Sequence, residues 1–541
     1  MEIKKAGEDE IVVEDDRGTT PAAIASSPKK RKTQAAAATE GARLCDDVLG
    51  LILARLPARA AVACTALSKH HRRLILTPEF RSLHLRLSPP LPRQHVAYVA
   101  TAQLRWKGEK GLVSVSHGFH VAGAGRRIAA AAAPMRALFG QRYSDERYVN
   151  TCNGVVLLAT NDYTPQGRCV LWNPAVADVV RDVTVPDPSE YRDYLVLGLG
   201  YGRRSKTYKI LLCRKDYRQP CKEYPSGSGG NNKLNGGPGL QVYALGRRPQ
   251  LRTISSTEIH SQESLYLDGM LFVLDVDKSV ILAFDVDDET ITTIDLPGDQ
   301  DLMWHWSRHV RSTLMEMDGR VCVVTKLGHQ HRAGLWLLTA DHQWERRCVI
   351  ELEEDLYHCD EEGNMYDCSV TGIWNCGGVL AVYIQGFTAA NDRLRLYQLA
   401  TEKMLFDAKL PCDLVPEHSK YALCWGYKPT LVAPQSIVEL SQDEERRRNN
   451  AAGIMESLKP INDKDSREGK KAVLDTVYFM EFLVSIMRKL PDGLQDVIKL
   501  PLLESKVLDL VSDDNDSEDS EDAARDAFEF EIVSGSEADS D

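Results

Sequence analysis

The chain of 541 residues lacks the features of secreted and membrane-spanning proteins. Its 13 cysteines are scattered, odd in number and free of any C-x-x-C pair, which argues against a disulfide framework. No run approaches the ~18 uninterrupted apolar residues of a membrane helix, and the start MEIKKAGEDE has no apolar signal core. We therefore expect a soluble intracellular protein with reduced thiols and no membrane partner.

Motifs of the common enzyme classes are also absent. There is no G-x-S-x-G elbow, no P-loop, no H-E-x-x-H pair and no glycine fingerprint opening a helix after a strand. Three groups of cysteines and histidines were considered as metal ligands and match no regular zinc spacing: Cys359, Cys368 and Cys376 with His358, His305 with His309, and His329 with His331. We expect no catalytic residue, no metal and no cofactor.

The net negative charge of the chain comes from its C-terminal end. Residues 511–541 carry 13 acids and one base, which equals the whole net charge of −12. The remaining residues are electrically balanced, so the sequence predicts no basic face for direct nucleic-acid binding. Serines interleaved with these acids are plausible phosphorylation sites, and the tail as a whole is typical of a disordered, solvated segment.

The first 42 residues form a second segment of low complexity, for which we predict disorder. It contains a compact basic block that resembles a nuclear import signal: Lys29, Lys30, Arg31 and Lys32. We expect the protein in the nucleus, and a cytoplasmic share is also compatible with the sequence.

Helical periodicity begins at Leu44, where leucine, valine and isoleucine recur at three- and four-residue steps until Pro57. Asp46 and Asp47 lie in the first turn, where the helix dipole favours negative charge. A second apolar segment then leads into a basic cluster, and Pro78 is expected to break the helix. The resulting unit of about 40 residues is too small to bury its own apolar stripe, so we expect that stripe to contact something else.

These residues resemble an F-box. The segment Leu44–Leu85 follows the family pattern LPDDLL, EILSRLP, VSKSWRSLI and PEF, with Cys45 in place of the usual proline and His71 in place of the usual tryptophan. The resemblance implies contact with a Skp-type adaptor, and through it with a cullin and a RING subunit. The residues that the resemblance and the apolar stripe assign to this contact are Leu44, Val48, Leu49, Ile52, Leu53, Leu56, Pro57, Leu67, His71 and Leu74.

After the proline-rich residues 88–95, the period of the apolar residues changes from that of a helix towards two, which is typical of β-strands. The turn pairs Asn153-Gly154, Asp268-Gly269, Asp318-Gly319 and Gly377-Gly378 each introduce an apolar strand, and further strands follow. The two Asp-Gly pairs lie 50 residues apart, which is typical of kelch-sized propeller blades. A less regular copy spans 194–254 and a further blade is expected from 96–121, while the total number of blades stays open.

This stretch resembles the F-box-associated domain of plant F-box proteins. The carrying motifs are CNGVVLLA from Cys152, the turn Asn173-Pro174-Ala175, and LGLGY from Leu197 followed by YKI from Tyr208. The resemblance implies a kelch-like β-propeller that presents a protein substrate. We expect its loops to make the substrate contacts, since strands supply the scaffold.

The sequence thus predicts a multidomain α+β chain: an arm (1–42), a helical F-box module (43–87), a linker (88–95), an all-β propeller-like domain (96–435), a helical segment (436–510) and a disordered acidic tail (511–541). The helical stripe from Leu474 to Leu490 is expected to pack on the protein itself, although a partner-binding helix is the alternative. We predict a non-catalytic substrate-recognition subunit of a ubiquitin ligase. The alternative is a nuclear scaffold that binds basic proteins through propeller and tail, without a ligase link.

Overall fold

The computed structural model describes residues 44–92, 94–105, 113–123, 136–139, 143, 146–160, 162–165, 167–176, 180–185, 192–216, 239–246, 249–257, 259, 263–275, 278–298, 313–327, 332–351, 358–359, 365–366, 369–386, 391–410, 415, 419–438 and 463–498. The chain divides into a unit of residues 1–45, of which Leu44 and Cys45 are described and exposed, and a unit of residues 46–541. The predicted import block and acidic tail lie outside the described residues. None of the described helices has the length and apolarity to cross a membrane.

Four short helices begin the second unit: α1 (Asp46–Leu53), α2 (Ala58–Cys64), α3 (Lys69–Ile75) and α4 (Pro78–Leu87). The hydroxyl oxygens of Ser68 and Thr77 cap α3 and α4, since they accept hydrogen bonds from His71 N (3.2 Å) and Phe80 N (3.1 Å). Pro78 is the first residue of α4, where a helix needs no N–H donor. The predicted helix breaker therefore also starts a helix, which the sequence interpretation did not anticipate.

Six antiparallel sheets follow, and each forms one blade of a propeller. Blade 1 contains β4 (Glu146–Cys152), β5 (Val155–Thr160), β7 (Cys169–Trp172) and β8 (Arg181–Val183); blade 2 contains β9 (Arg192–Tyr201), β10 (Tyr208–Asp216), β11 (Gly239–Ala244) and β12 (Gln250–Ser255), with β6 (Thr164–Pro165) paired to β9. Blade 3 contains β13 (Ser264–Leu267), β14 (Met270–Asp275), β15 (Val280–Asp285) and β16 (Thr290–Asp295). Blade 4 contains β17 (Leu314–Met317), β18 (Arg320–Lys326), β19 (Arg332–Leu338) and β20 (Trp344–Glu351).

Blade 5 contains β23 (Ser369–Cys376), β24 (Val379–Gln385), β25 (Arg393–Gln398) and β26 (Lys403–Lys409), and a small hairpin of β21 (His358–Cys359) and β22 (Met365–Tyr366) precedes it. Blade 6 is built from both ends of the domain, because β27 (Ser419–Leu423) pairs with β1 (Val96–Arg105), which continues to β2 (Val113–Ala122) and β3 (Arg136–Phe139). This pairing closes the ring. The predicted strands at 96–121 are thus confirmed, and a late strand completes their blade.

Buried apolar clusters join each blade to the next. Separate clusters connect blades 3 and 4, blades 4 and 5, and blades 6 and 1, while a larger one spans blades 1, 2 and 3. Each sheet therefore buries both faces between neighbours, which explains why the strands read as nearly continuous apolar runs such as VVLLAT in β5. The predicted propeller is confirmed, with six blades.

The predicted turn pairs form the tight hairpins between the first two strands of blades 1, 3, 4 and 5. Asn153, Asp268, Asp318 and Gly377 have φ between 51° and 68°, and the glycine that follows each of them has φ between 76° and 98°. Two consecutive positive φ angles define the hairpin turn that fits the twist of antiparallel strands. Asparagine, aspartate and glycine tolerate this conformation best, which is why these pairs could be recognised in the sequence.

The helical C-terminal segment is part of the propeller core. Helix α6 (Asp463–Lys489) and the short α7 (Leu494–Ile498) follow α5 (Pro434–Ile437), and α6 contributes to a buried cluster with residues of blades 5 and 6. Its buried side chains are Val477, Phe479, Met480, Phe482, Leu483, Val484, Ile486 and Met487. The carboxylate of Glu481 accepts the Gly123 N–H at 3.1 Å from each oxygen. The prediction that this stripe packs on the protein itself is confirmed.

Candidate functional site

The four N-terminal helices have a small interior of their own. Leu53, Ala54, Ala58, Ala61, Ile75 and Phe80 are all buried in one cluster. His84 forms a hydrogen bond within this interior, since its Nε2 lies 3.1 Å from the carbonyl oxygen of Leu56. Burial lowers the pKa of its imidazole. The neutral imidazole is therefore favoured in the interior of this helical unit.

The helical unit is seated on the propeller through the turn Asn173-Pro174-Ala175. Ala175 and Leu431 complete the apolar cluster of the helices. Asn173 holds this seat together, because its Nδ2 donates to the carbonyl oxygens of Thr430 (3.1 Å) and Val432 (2.7 Å), while its Oδ1 accepts the Ala175 N–H at 2.9 Å. The helices are therefore attached to the propeller in two ways, by the covalent linker 88–95 and by direct packing against blade 1.

The helical unit also leaves large apolar side chains in solvent. Val48 is 41% exposed, Ile52 is 48% exposed and Leu67 is 68% exposed. Leu51 and Leu76, which the sequence interpretation did not select, are also exposed. Single exposed leucines are ordinary, but several on a unit of about 40 residues are typical of a contact surface.

A second candidate site is a cavity of about 1010 Å³ where the hairpin turns of the propeller meet helix α4. We call it the axial hollow. Turns or loops of all six blades contribute to its wall, together with α4 and residues 90–92. Its charged, polar and aromatic lining residues include Arg86 of α4, Arg203, Lys206, Asp268, Glu316, Asp318, Trp374, Asn375, Trp425 and Lys428.

Hydrogen bonds hold the polar wall of the axial hollow. Asn375 Nδ2 donates to Asp318 Oδ2 at 2.7 Å, and the Gly319 N–H donates to Glu316 Oε1 at 2.6 Å. Arg203 is paired with Asp268. Lys428 Nζ donates to the carbonyl oxygen of Leu85 at 2.9 Å, which connects α4 to the propeller; burial, and then the nearby Arg203, lower the pKa of this lysine.

Comparison with known proteins identifies the propeller. Residues 135–397 match the family described as the F-box associated beta propeller domain. This stretch is an F-box-associated β-propeller domain. The "Putative F-box protein At1g70380" of Arabidopsis thaliana is 24% identical over 317 residues, which span 55% of this chain and 75% of that protein. The resemblance to plant F-box proteins with such a domain is thereby confirmed.

Solved structures give only distant likenesses. The structure titled as the nidogen/laminin complex is 11% identical, with a TM-score of 0.29 over 58% of this chain and 94% of that chain. A protein from Lactobacillus plantarum is 10% identical, with a TM-score of 0.32 over 58% of this chain and 82% of that chain. Likenesses this low carry no inference about function.

The ten predicted adaptor contacts differ in how exposed they are. Leu44, Val48, Ile52, Pro57 and Leu67 are exposed, whereas Leu49, Leu56, His71 and Leu74 are half-buried. Leu53 is only 6% exposed and belongs to the interior of the helical unit. The ten residues stay predicted adaptor contacts; among those of α1, Val48 and Ile52 are the ones most exposed to solvent.

The axial hollow contains residues that sequence reasoning missed. Asp268 and Asp318 were recognised only as turn residues, and Trp374 and Trp425 were not selected. The aromatic-rich stretch CWGYKP after the last strand was the available signal, because two large rings in a segment without strand periodicity are unusual. What could not be read from sequence is that this stretch lies beside the turns of blades 4 and 5.

The described part of the chain contains no candidate metal site. No group of three or more histidine, cysteine or acidic side chains is suitably placed within the described residues. Cys376 is buried, and burial raises the pKa of its thiol to about 12, so that a metal-binding thiolate is disfavoured there. Cys368 and the four histidines at 305, 309, 329 and 331 lie outside the described residues.

Proposed function

We propose that this protein is the substrate-recognition subunit of a Skp/cullin/F-box ubiquitin ligase. The helical unit docks on a Skp-type adaptor, which links it to the cullin and RING subunits, and the propeller presents a protein substrate. The protein itself performs no bond chemistry. It raises the effective concentration of the substrate near the ubiquitin-charged enzyme and sets its orientation.

One observation carries this proposal: the helical unit has apolar residues in two different surroundings. Its interior residues cluster with Ala175 and Leu431 of the propeller, whereas Val48, Ile52 and Leu67 are exposed. Full burial of such a side chain at an interface contributes roughly 1.5–3 kcal/mol. The attachment of the helices to an F-box-associated propeller supports the adaptor as the partner.

The decisive experiment is a binding assay between the full-length chain and a recombinant Skp-type adaptor. We expect the double variant Val48→Asp/Ile52→Asp to lose more than about a hundredfold in affinity, because it removes two apolar contacts and introduces carboxylates that would be desolvated. Met404→Asp on β26 is the matched control, since Met404 is similarly exposed (43%) but lies on the edge of blade 5.

The outcomes separate the alternatives. Wild-type protein that fails to bind the adaptor at micromolar concentration would remove the ligase link, and capture of basic nuclear proteins instead would favour the scaffold. A double variant that binds as tightly as wild type would show that α1 is the wrong face.

The proposed place of action is the nucleus, based on the basic block Lys29–Lys32. Replacement of Lys29, Lys30, Arg31 and Lys32 by alanine should shift a fluorescent fusion towards the cytoplasm, because import receptors read clustered positive charge. The same nuclear signal in variant and wild type would refute the assignment.

A further inference from the structure

Helix α3 carries a basic surface on the outside of the helical unit. Residues 46–87 contain seven arginine and lysine residues but three acids, so the helical unit has a net charge of +4. Three of these cations recur on α3 at three- and four-residue steps, which places them on one side of the helix: Lys69, Arg72 and Arg73. All three are exposed, whereas Ile75 of the same helix is buried. We call this surface the basic face of α3.

The charge of the basic face of α3 is not compensated by acids. In the part of the chain that the structure describes, no carboxylate forms an ion pair with Lys69, Arg72 or Arg73. Asp46 contacts the helix at His70 instead, with its Oδ1 3.0 Å from the imidazole Nε2. Several exposed arginines of the propeller do have a carboxylate partner: Arg203 with Asp268, Arg204 with Asp288 and Arg252 with Glu289.

Exposed leucines lie at the two ends of α3. Leu67 precedes the helix by two residues and Leu76 follows it directly, and their exposed fractions are 68% and 49%. A partner that supplied only carboxylates would leave these leucines in water. The surface is therefore complementary to a segment that combines acids with large apolar side chains.

The C-terminal residues of this chain have that combination. Residues 511–541 carry 13 acids and one base. Most of their large apolar side chains lie in one stretch, DAFEFEIV at 526–533, where phenylalanine and isoleucine are interleaved with acids. We call it the acidic stretch. It matches the basic face of α3 in charge, and its phenylalanines match the exposed leucines.

The described chain ends near the axial hollow, which helix α4 of the helical unit also lines. Asn375 lines this hollow together with Arg86 of α4, and it also lines a groove together with Leu494 of α7. Helix α7 ends at Ile498, 28 residues before the acidic stretch begins. An extended chain of that length spans up to about 90 Å, whereas a domain of about 340 residues has a radius of gyration of about 20 Å. The acidic stretch can therefore reach α3 of its own molecule, and the covalent connection raises its effective concentration there.

We infer that the acidic stretch 526–533 binds the basic face of α3 in the same molecule and thereby competes with the adaptor. Its carboxylates accept hydrogen bonds from the two arginines, and its phenylalanines cover the exposed leucines. The competition rests on the proposed function, because three predicted adaptor contacts belong to α3 or border it: Leu67, His71 and Leu74.

Lys69 makes this contact directly measurable, because it is the only lysine among residues 46–87. A water-soluble carbodiimide joins an amine to a carboxylate that touches it, without a spacer. In the full-length chain at submicromolar concentration, we expect links from Lys69 to the acids of the stretch, identified by peptide mass spectrometry. Lys403, exposed on β26, is the reference and should give about fivefold fewer links to these acids. An equal mixture of unlabelled and ¹⁵N-labelled chains separates links within one molecule from links between two copies.

Two variants test the charged and the apolar part of the contact separately. Arg72→Gln/Arg73→Gln should reduce the links from Lys69 about threefold or more, because two exposed ion pairs are lost. Phe528→Ser/Phe530→Ser retains every charge and should also reduce them, since the leucines lose their cover. The matched control for charge is Arg346→Gln/Lys403→Gln, at exposed positions of β20 and β26, and should leave the links from Lys69 unchanged.

The competition is measured as the affinity of the full-length chain for the recombinant adaptor. Glu529→Gln/Glu531→Gln should raise this affinity about threefold or more, because the weakened stretch no longer covers α3. Equal affinity in this variant and in wild type, with the links to Lys69 intact, would refute the competition.

Three results would overturn the contact itself: links from Lys69 no more frequent than those from Lys403, links formed only between two copies, or acids of the stretch that link to Lys29, Lys30 and Lys32 in place of Lys69. If no variant binds the adaptor, the proposed function fails, while the links to Lys69 still decide the contact. A chain that binds the adaptor but forms no such links refutes this inference and leaves the proposed function standing.

Discussion

Helices α1 and α6 carry similar apolar stripes, but the structure uses them in opposite ways. In α1, Val48 and Ile52 remain in solvent, while Leu53 is buried in the small interior of the helical unit. In α6, Phe479 is fully buried among residues of blades 5 and 6, together with most of its apolar neighbours. One helix is thus available to a partner, and the other is part of the propeller core.

The difference shows that an amphipathic stripe identifies which residues leave water, not what covers them. A propeller that ends one strand short can be completed by chain from its C-terminal side, and β27 does this for blade 6. Helix α6 then covers apolar residues of β1 and of blade 5. No comparable surface is placed over the exposed side of α1 within the described residues.

The largest effect is expected when an aspartate is introduced into α6, in comparison with the same change in α1. Phe479→Asp should lower the free energy of unfolding by more than about 5 kcal/mol, because it removes a buried ring and puts a carboxylate in its buried position. The ring of Phe479 lies 5.2 Å from that of Tyr383 and 6.0 Å from that of Tyr421. A loss of this size approaches the whole stability of a typical domain.

The matched control is Val48→Asp, which should change the free energy of unfolding by less than about 1 kcal/mol, as expected for surface substitutions. Urea unfolding followed by tryptophan fluorescence measures both variants. Equal midpoints for the two would contradict the contrast between a covered and an uncovered helix.

A smaller and more local effect is expected at Leu53. Leu53→Ala should destabilise the helical unit by about 2–5 kcal/mol, since it leaves a cavity among Ala54, Ile75 and Phe80. Ile52→Ala, its exposed neighbour, should cost less than about 1 kcal/mol. Amide hydrogen exchange over residues 46–87 measures the difference.

The same measurement decides which residue reports on adaptor binding. If Leu53→Ala leaves exchange over 46–87 as slow as in wild type, the assignment of Leu53 to the interior is wrong. If exchange accelerates as expected, any loss of adaptor binding in a Leu53 variant reflects unfolding of the helices rather than a lost contact.

The smallest effect concerns a buried carboxyl next to the residues that α6 covers. Asp392 accepts hydrogen bonds from Tyr383 OH and from Gly386 N, and Tyr421 OH donates to Tyr383 OH at 3.0 Å. Burial raises the pKa of Asp392 from 3.8 to about 6. The folded state therefore favours the protonated form, and the stability it contributes is present below about pH 4 and is lost as the pH rises to about 6.

The expected size is about 3 kcal/mol, from roughly two pKa units at 1.36 kcal/mol each. Asp392→Asn cannot ionise, so the difference in unfolding free energy between this variant and wild type should grow by about 2 kcal/mol of that total between pH 4 and pH 6. Asp162→Asn, at an exposed acid in the same propeller, is the matched control. A constant difference across this range for Asp392→Asn would mean that the carboxyl is ionised without cost.

Much of the propeller could be predicted from local sequence. Asn153-Gly154, Asp268-Gly269 and Asp318-Gly319 were recognisable because few residues adopt positive φ at two successive positions. The motif Asn173-Pro174-Ala175 was recognisable as a turn. Its second role, as the seat of the helical unit, depends on carbonyl groups of Thr430 and Val432 that lie more than 250 residues further along the chain.

The order of helices and strands, the hairpin turns and the apolar faces can be derived from the sequence, because they follow from backbone sterics and from the periods of helix and strand. Tertiary packing alone establishes which apolar face stays in water, that α6 belongs to the core, and that Glu316, Asp318, Trp374 and Trp425 line the same cavity. Local periodicity is set by residues three or four apart, whereas a site is set by segments that ring closure brings together from distant parts of the chain.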